Sequence, residues 1–118
     1  MSARGWIAVV LLAVSVGTAV LGGVLAVREC DALLRTAQTG DLNADTARTL
    51  LSRWEKKSRA LSLFLQHKDS DALSEAFYAL RLSLDSGEQD RVRSSLIRLI
   101  SVLRVVADGE KLKLENIL

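Results

Sequence analysis

Apolar and polar positions divide the chain into two unequal patterns. From Gly5 to Val27 no charged residue occurs, and nearly every side chain is Ile, Val, Leu, Ala or Gly. Beyond Arg28 the apolar residues recur at intervals of three and four between polar ones. The first pattern suits a helix surrounded by hydrocarbon, and the second suits helices that bury one stripe. At 1.5 Å per residue, Trp6 to Val27 extends about 33 Å, enough for a bilayer core of about 30 Å. Trp6 stands at one edge, where an indole favours the interface, and Arg28 with Glu29 closes the other. The expected organisation is a short tail over 1–4, a transmembrane helix over 5–27 and a helical domain over 28–118.

Three other readings of the apolar segment compete with this one. Val24-Leu25-Ala26 has the small residues of a signal-peptide cleavage site, but the run before it is long and only Arg4 charges its start. A lipoprotein site at Cys30 would need small apolar residues where Val-Arg-Glu stands. A buried core helix would need more chain around it than the sequence supplies.

Proline is absent, and Gly with Asp, Asn and Ser punctuates the domain, so an all-α fold is expected. The membrane helix should continue through Leu33, Leu34 and Ala37 to Gly40. A second helix should start at Asn43 or Asp45 and face inward with Ala47, Leu50, Leu51, Trp54, Leu61, Phe64 and Leu65. A polar turn over 66–70 should lead to a third helix, capped by Asp69 or Ser70, with Leu73, Ala76, Phe77, Leu80 and Leu84 inward. Gly87 should end it in the left-handed conformation. A fourth helix should run from about Glu88 to Ala107, before Asp108-Gly109, with Glu88 and Asp90 favourably placed in its first turn. Residues 110–118 then read as an apolar tail with strand-like alternation at Leu112 and Leu114. Such short connections force antiparallel neighbours, so the expected architecture is an up-and-down bundle of three to four helices above the membrane helix.

Composition narrows the function classes. The formal charge is +2, and Arg4 supplies part of it; residues 28–118 hold 15 basic and 14 acidic side chains. That balance lacks the basic field that nucleic-acid binding needs, so no nucleic acid is expected. The cluster Arg53, Lys56, Lys57 and Arg59 reads first as a solvated helix face and second as a site for lipid headgroups or an acidic partner. One Cys and one His supply neither a zinc set nor a disulfide framework, and no metal or cofactor is expected. Cys30 reads as a small residue on the emerging helix, with an interchain disulfide as the alternative. Lys and Arg barely differ across the apolar segment. A four-residue tail with one Arg favours a cytoplasmic N-terminus and an extracytoplasmic domain at the plasma membrane.

The fourth helix is the most apolar, interrupted between Leu96 and Ala107 only by Arg98, Ser101 and Arg104. It should be central in the bundle, and Ile97 with Val105 could instead meet another protein. The closing Ile117 and Leu118 should fold back on the bundle or dock into a partner. Within the membrane helix, Ala13 with Gly17, Thr18 with Gly22, and Ala19 with Gly23 form small-residue pairs that suit helix packing in a bilayer.

Several pieces together resemble a family. The span, Cys-Asp-Ala-Leu at Cys30 to Leu33, Trp54, Phe64 and His67 before Asp69 and Asp71, and the closing Asn116-Ile117-Leu118 are similar to an uncharacterised family of small membrane-anchored proteins from Gram-positive bacteria. The resemblance covers nearly the whole chain. It implies a fold and a location, an accessory role beside multi-pass membrane proteins, and no reaction. It also draws attention to Trp54, whose ordinary role is to fill a core, and to His67. At a helix C-terminus next to Asp69 and Asp71, His67 would cap or fix the turn, with a pH sensor or intermolecular metal ligand as the sharper role.

The leading expectation is a non-enzymatic accessory protein that binds an integral membrane partner or a second copy of itself. A ligand-sensing helical domain is the alternative, and it needs a polar pocket that the inward stripes lack. An enzyme needs a paired base and nucleophile or paired carboxylates. Only Asp69, Asp71 and Glu75 with His67 come near that, so no catalytic residue is assigned.

Overall fold

The structure is a computed structural model that describes residues 3–117. It consists of four helices, α1 Ala3–Thr39, α2 Ala44–Phe64, α3 His67–Ser86 and α4 Gln89–Ile117, with no strand among the described residues. α1 is long and apolar enough to cross a membrane, and among the described residues it alone is.

α1 passes from the apolar segment into the domain without interruption. Thr18, Thr36 and Thr39 turn their hydroxyls back onto the carbonyls of Val14, Ala32 and Arg35, so these polar side chains are satisfied within the helix. Gly40 ends it at a place with no room for a side chain. A Cβ there would lie 2.8 Å from Thr46 Oγ1 and 3.1 Å from the Thr36 carbonyl oxygen. Asn43 caps α2, its Oδ1 accepting the Thr46 N–H at 3.1 Å, and Asp45 lies in the favoured first turn.

α3 begins earlier than its sequence signals suggest. Leu65 and Gln66 adopt extended backbone, and the Gln66 carbonyl accepts the N–H groups of Asp69 and Ser70 at 3.0 and 2.9 Å. Neither Asp69 nor Ser70 is the cap, because two extended residues suffice to reverse the chain. His67 is therefore the first residue of α3, and the C-terminal dipole argument for it does not apply. Gly87, at φ 70°, closes α3 in the left-handed conformation.

α4 corrects the expected tail. It runs through Asp108-Gly109 to Ile117, so residues 110–117 are helical and the strand-like alternation is not realised. One interior glycine costs a helix about 1 kcal/mol. That is offset because the inward spacing continues through Leu103, Val106, Ala107 and Glu110, all buried, and because Lys111 reaches Asp31 at 3.0 Å.

Each helix packs on its neighbours in sequence; α4 also packs on α1 and, more lightly, on α2. Paired residue numbers run in opposite directions between α1 and α2, α2 and α3, α3 and α4, and α1 and α4. Gly22 meets Phe64, whereas Glu29 binds Arg53 at 2.7 Å, between α1 and α2. Ser70 donates to Ser62 at 3.3 Å while Arg81 pairs with Glu55, between α3 and α2. Ser83 bonds Ser95, and Glu75 faces Arg98 at 3.7 Å, between α3 and α4. Gly23 meets Leu114, and Asp31 meets Lys111, between α1 and α4. The core is mainly aliphatic, with Leu33, Leu50, Leu73, Leu80, Leu96, Leu99 and Leu103 fully buried around the aromatic Phe77.

Candidate functional site

Because α4 touches all three other helices, most of its apolar residues are used inward, and those left outside are informative. Ile97, Val105 and Leu112 are 52%, 69% and 60% exposed. At 100° per residue they fall within an arc of about 80° on the outer surface of α4. Exposed Ser101, Arg104 and Asp108 lie between them. The arrangement offers a narrow apolar line with a polar rim, the composition of a protein-contact surface.

A second arrangement lies at the end of the domain nearest the apolar half of α1. Glu110 is 6% exposed, and its Oε1 has no hydrogen-bond partner. Lys113 Nζ stands 3.8 Å away, beyond hydrogen-bond range. Burial first, then a hydrogen bond to the Asp69 carboxyl that requires a shared proton, push the Glu110 carboxyl above the ordinary range; Lys113 and the Gln66 backbone act against this. Cys30 belongs to the same neighbourhood. Its burial, followed by the charge of Glu110, pushes the thiol up to about 12. It is therefore a protonated core residue, shielded from oxidation and from disulfide exchange. No group of three or more metal-ligating side chains occurs among the described residues. The pair is a carboxyl that holds its proton more tightly than usual beside an un-ionised thiol.

Residues 37–117 match a family described as Domain of unknown function (DUF4363). The chain belongs to the DUF4363 family. The matched residues begin at Ala37 near the end of α1 and take in all of α2, α3 and α4, so the DUF4363 region includes the exposed line of α4 and Glu110, while Cys30 and the apolar half of α1 precede it. No curated protein and no solved structure matches the chain.

Within the DUF4363 domain the residues singled out by sequence separate. Trp54 is buried and stacks on Phe77, ring centroids 4.6 Å apart and planes 5° from parallel, which makes it a core residue. Phe64 does not join that core; it is 37% exposed and covers Gly22, where a Cβ would come within 2.0 Å of its ring. His67 and Asp71 are exposed, Asp69 turns towards Glu110, and Asn116 is exposed on the last turn of α4. Ile117 ends α4, and Leu118 lies outside the described residues.

In α1 itself, Gly22 and Gly23 pack within the chain against Phe64 and Leu114. Gly17 has open space around it, and Ala13, Thr18 and Ala19 are exposed. Glu110 was missed because a carboxylate reads as outward. Its place in the series 103, 106, 107, 110 was the available signal.

Proposed function

We propose that this DUF4363 protein is a single-pass plasma-membrane protein whose domain, an up-and-down helical bundle, acts by contact as a non-enzymatic accessory to an integral membrane partner or a second copy of itself. The N-terminus lies in the cytoplasm and the domain outside, and the family is read as one of small membrane-anchored proteins of Gram-positive bacteria.

The observation that carries this reading is the pair Ile97 and Val105, aliphatic side chains left on one outer face of α4 along a line that ends towards the membrane at Leu112. Truncating such residues costs a folded monomer little, so their natural use is against another surface.

The test places a photocrosslinking residue at Val105 in the full-length protein in native membranes, with Ser52 on the outside of α2 as control. A discrete adduct at Val105 and none at Ser52 supports contact through α4; equal or absent adducts, with a monomer in mild detergent, remove the proposal. Topology needs an introduced thiol, because Cys30 is buried. Gln38→Cys in a Cys30→Ala background should react with an impermeant maleimide in intact cells, and protection from that reagent alone would reverse the orientation.

A second reading, a ligand-sensing domain, has one observation in its favour. A cleft of about 380 Å³ opens between the start of α2 and the α3–α4 joint, lined by Asn43, Asp45, Arg48 and Gln89 among others. Saturable binding of a small polar ligand that fails on Arg48→Ala would favour it.

A further inference from the structure

The apolar half of α1 is shorter in practice than its sequence suggests. The domain closes on α1 already at Gly22, which is buried beneath Phe64, and at Gly23, which meets Leu114. Trp6 to Leu21 lies clear of the domain, about 24 Å of helix against a hydrocarbon core of about 30 Å, and beyond it the domain covers one face of α1 while Leu25 stays 54% exposed on another. A span that short thins the bilayer, or brings its own domain down into it.

The lower rim of the domain is built for the second outcome. Leu63 is 79% exposed beside the half-exposed Phe64 at the end of α2, and Leu112 faces outward near the end of α4. A mostly apolar cleft of about 210 Å³ between α1 and α2, with Leu25, Leu61 and Phe64 in its walls, also has Lys57 and Glu29 in its lining. The first ion pairs on α1 come higher, at Glu29 with Arg53 and at Asp31 with Lys111. Gly22 to Glu29 is about 10 Å of helix, close to the depth to which an interfacial helix buries its apolar face. Lys57 and Lys68, both exposed, belong to this end of the domain, where ammonium groups can reach phosphates while their stems cover apolar surface. Glu115, exposed on the last turn of α4, fixes the limit: the rim belongs among headgroups and the first methylenes.

We infer that the rim formed by Leu63, Phe64 and Leu112 is seated in the interface of the same bilayer that α1 crosses, so that the domain rests in the leaflet and does not stand clear of it. This rests on the proposed span and is independent of which side the domain occupies.

The test uses the full chain in vesicles of phosphatidylcholine and phosphatidylglycerol, with spin labels introduced singly by Leu63→Cys, Leu112→Cys, Leu82→Cys and Leu12→Cys. The unsubstituted protein, whose buried Cys30 is its sole thiol, gives the background. Seating predicts an oxygen-to-nickel accessibility ratio severalfold higher at 63 and 112 than at 82, near the opposite end of the domain, with 12 deepest. If 12 is deep while 63 and 112 match 82, the seating is wrong and the span stands. If 12 is as accessible to nickel as 82, the span fails and takes the seating with it. Spin–spin broadening at 63 or 112, with both reagents excluded, would assign the rim to a second copy and overturn the proposal.

Discussion

The two halves of α1 are built from nearly the same side chains and have opposite surroundings. Below Gly22, Leu11, Leu12, Val14 and Val16 are exposed; above it, Ala26, Cys30, Leu33 and Ala37 are buried. What differs is the polar residues placed between them. In the upper half Arg28, Glu29, Asp31, Arg35 and Gln38 occupy the faces not turned to the core, and two of them tie the helix to α2 and α4 through Arg53 and Lys111. The lower half has no such interruptions, so no face is marked for protein. A continuous apolar run therefore suits a solvent of hydrocarbon, as proposed for the lower half, and a periodic one suits a core.

The same truncation in both halves should break or sharpen that comparison most. Leu33→Ala should cost the domain about 2–5 kcal/mol, measured by urea unfolding in detergent micelles. Leu12→Ala should leave the midpoint where it was, and equal shifts would erase the distinction. Enlarging a glycine on either side of the boundary comes next. Gly22→Leu displaces the Phe64 ring and should cost about 1–3 kcal/mol, whereas Gly17, with open space around it, should accept Leu without effect on domain unfolding.

The upper half also borders the buried carboxyl of Glu110, and pH sharpens the comparison there. The folded-state pKa of Glu110 is raised, so its favourable contribution is complete below the unfolded carboxylate pKa and is lost as pH rises through the folded value. At neutral pH its burial is a net cost, with Asp69 adding to it and Lys113 only partly relieving it. Glu110→Gln should then stabilise the domain at pH 7 by about 1 kcal/mol, with the gain shrinking as the carboxyl takes up its proton in acid. Paired urea titrations at the two pH values would show it, and a gain that grew in acid would contradict the assignment. The smallest effect belongs to the ion pair from α2 to α1. Arg53→Met should cost no more than about 1 kcal/mol, since Arg53 is partly solvated, and added salt should diminish the difference.

Much of the helical pattern was legible because its signals are local. Asn43 caps through its own side chain, Gly87 supplies a left-handed residue, and the apolar spacing of 47, 50, 54 and 61 marks the inward face of α2. The misreadings have two causes, tertiary contact and one unexpectedly short joint. Asp108-Gly109 has turn chemistry, yet α4 continues because its lower turns lie against α1. His67 fell on the wrong helix because two extended residues at 65–66 make a joint shorter than the polar stretch around them. Phe64 has the periodicity of a core residue, but at the end of its helix the neighbour is a glycine of α1 with no side chain to enclose it. Of the candidate site, Ile97 and Val105 were visible as excess apolar residues on a polar strip. Leu112 joined them only once its tail proved helical.

α1 has no proline, and its hydrogen-bonded ladder is unbroken for 37 residues. Such a rod is stiff, and the domain is clamped along its upper part, so the two cannot lean independently. From Leu21 to Thr39 the rod rises about 27 Å. With the lower part held in a bilayer, a lean of about 20°, ordinary for a transmembrane helix, would carry the far end sideways by about 9 Å. Bilayer thickness would then become a mechanical input, magnified by the lever and delivered at the turn Gly40 to Asn43, where a partner touching the top of the domain would feel it as a change of position.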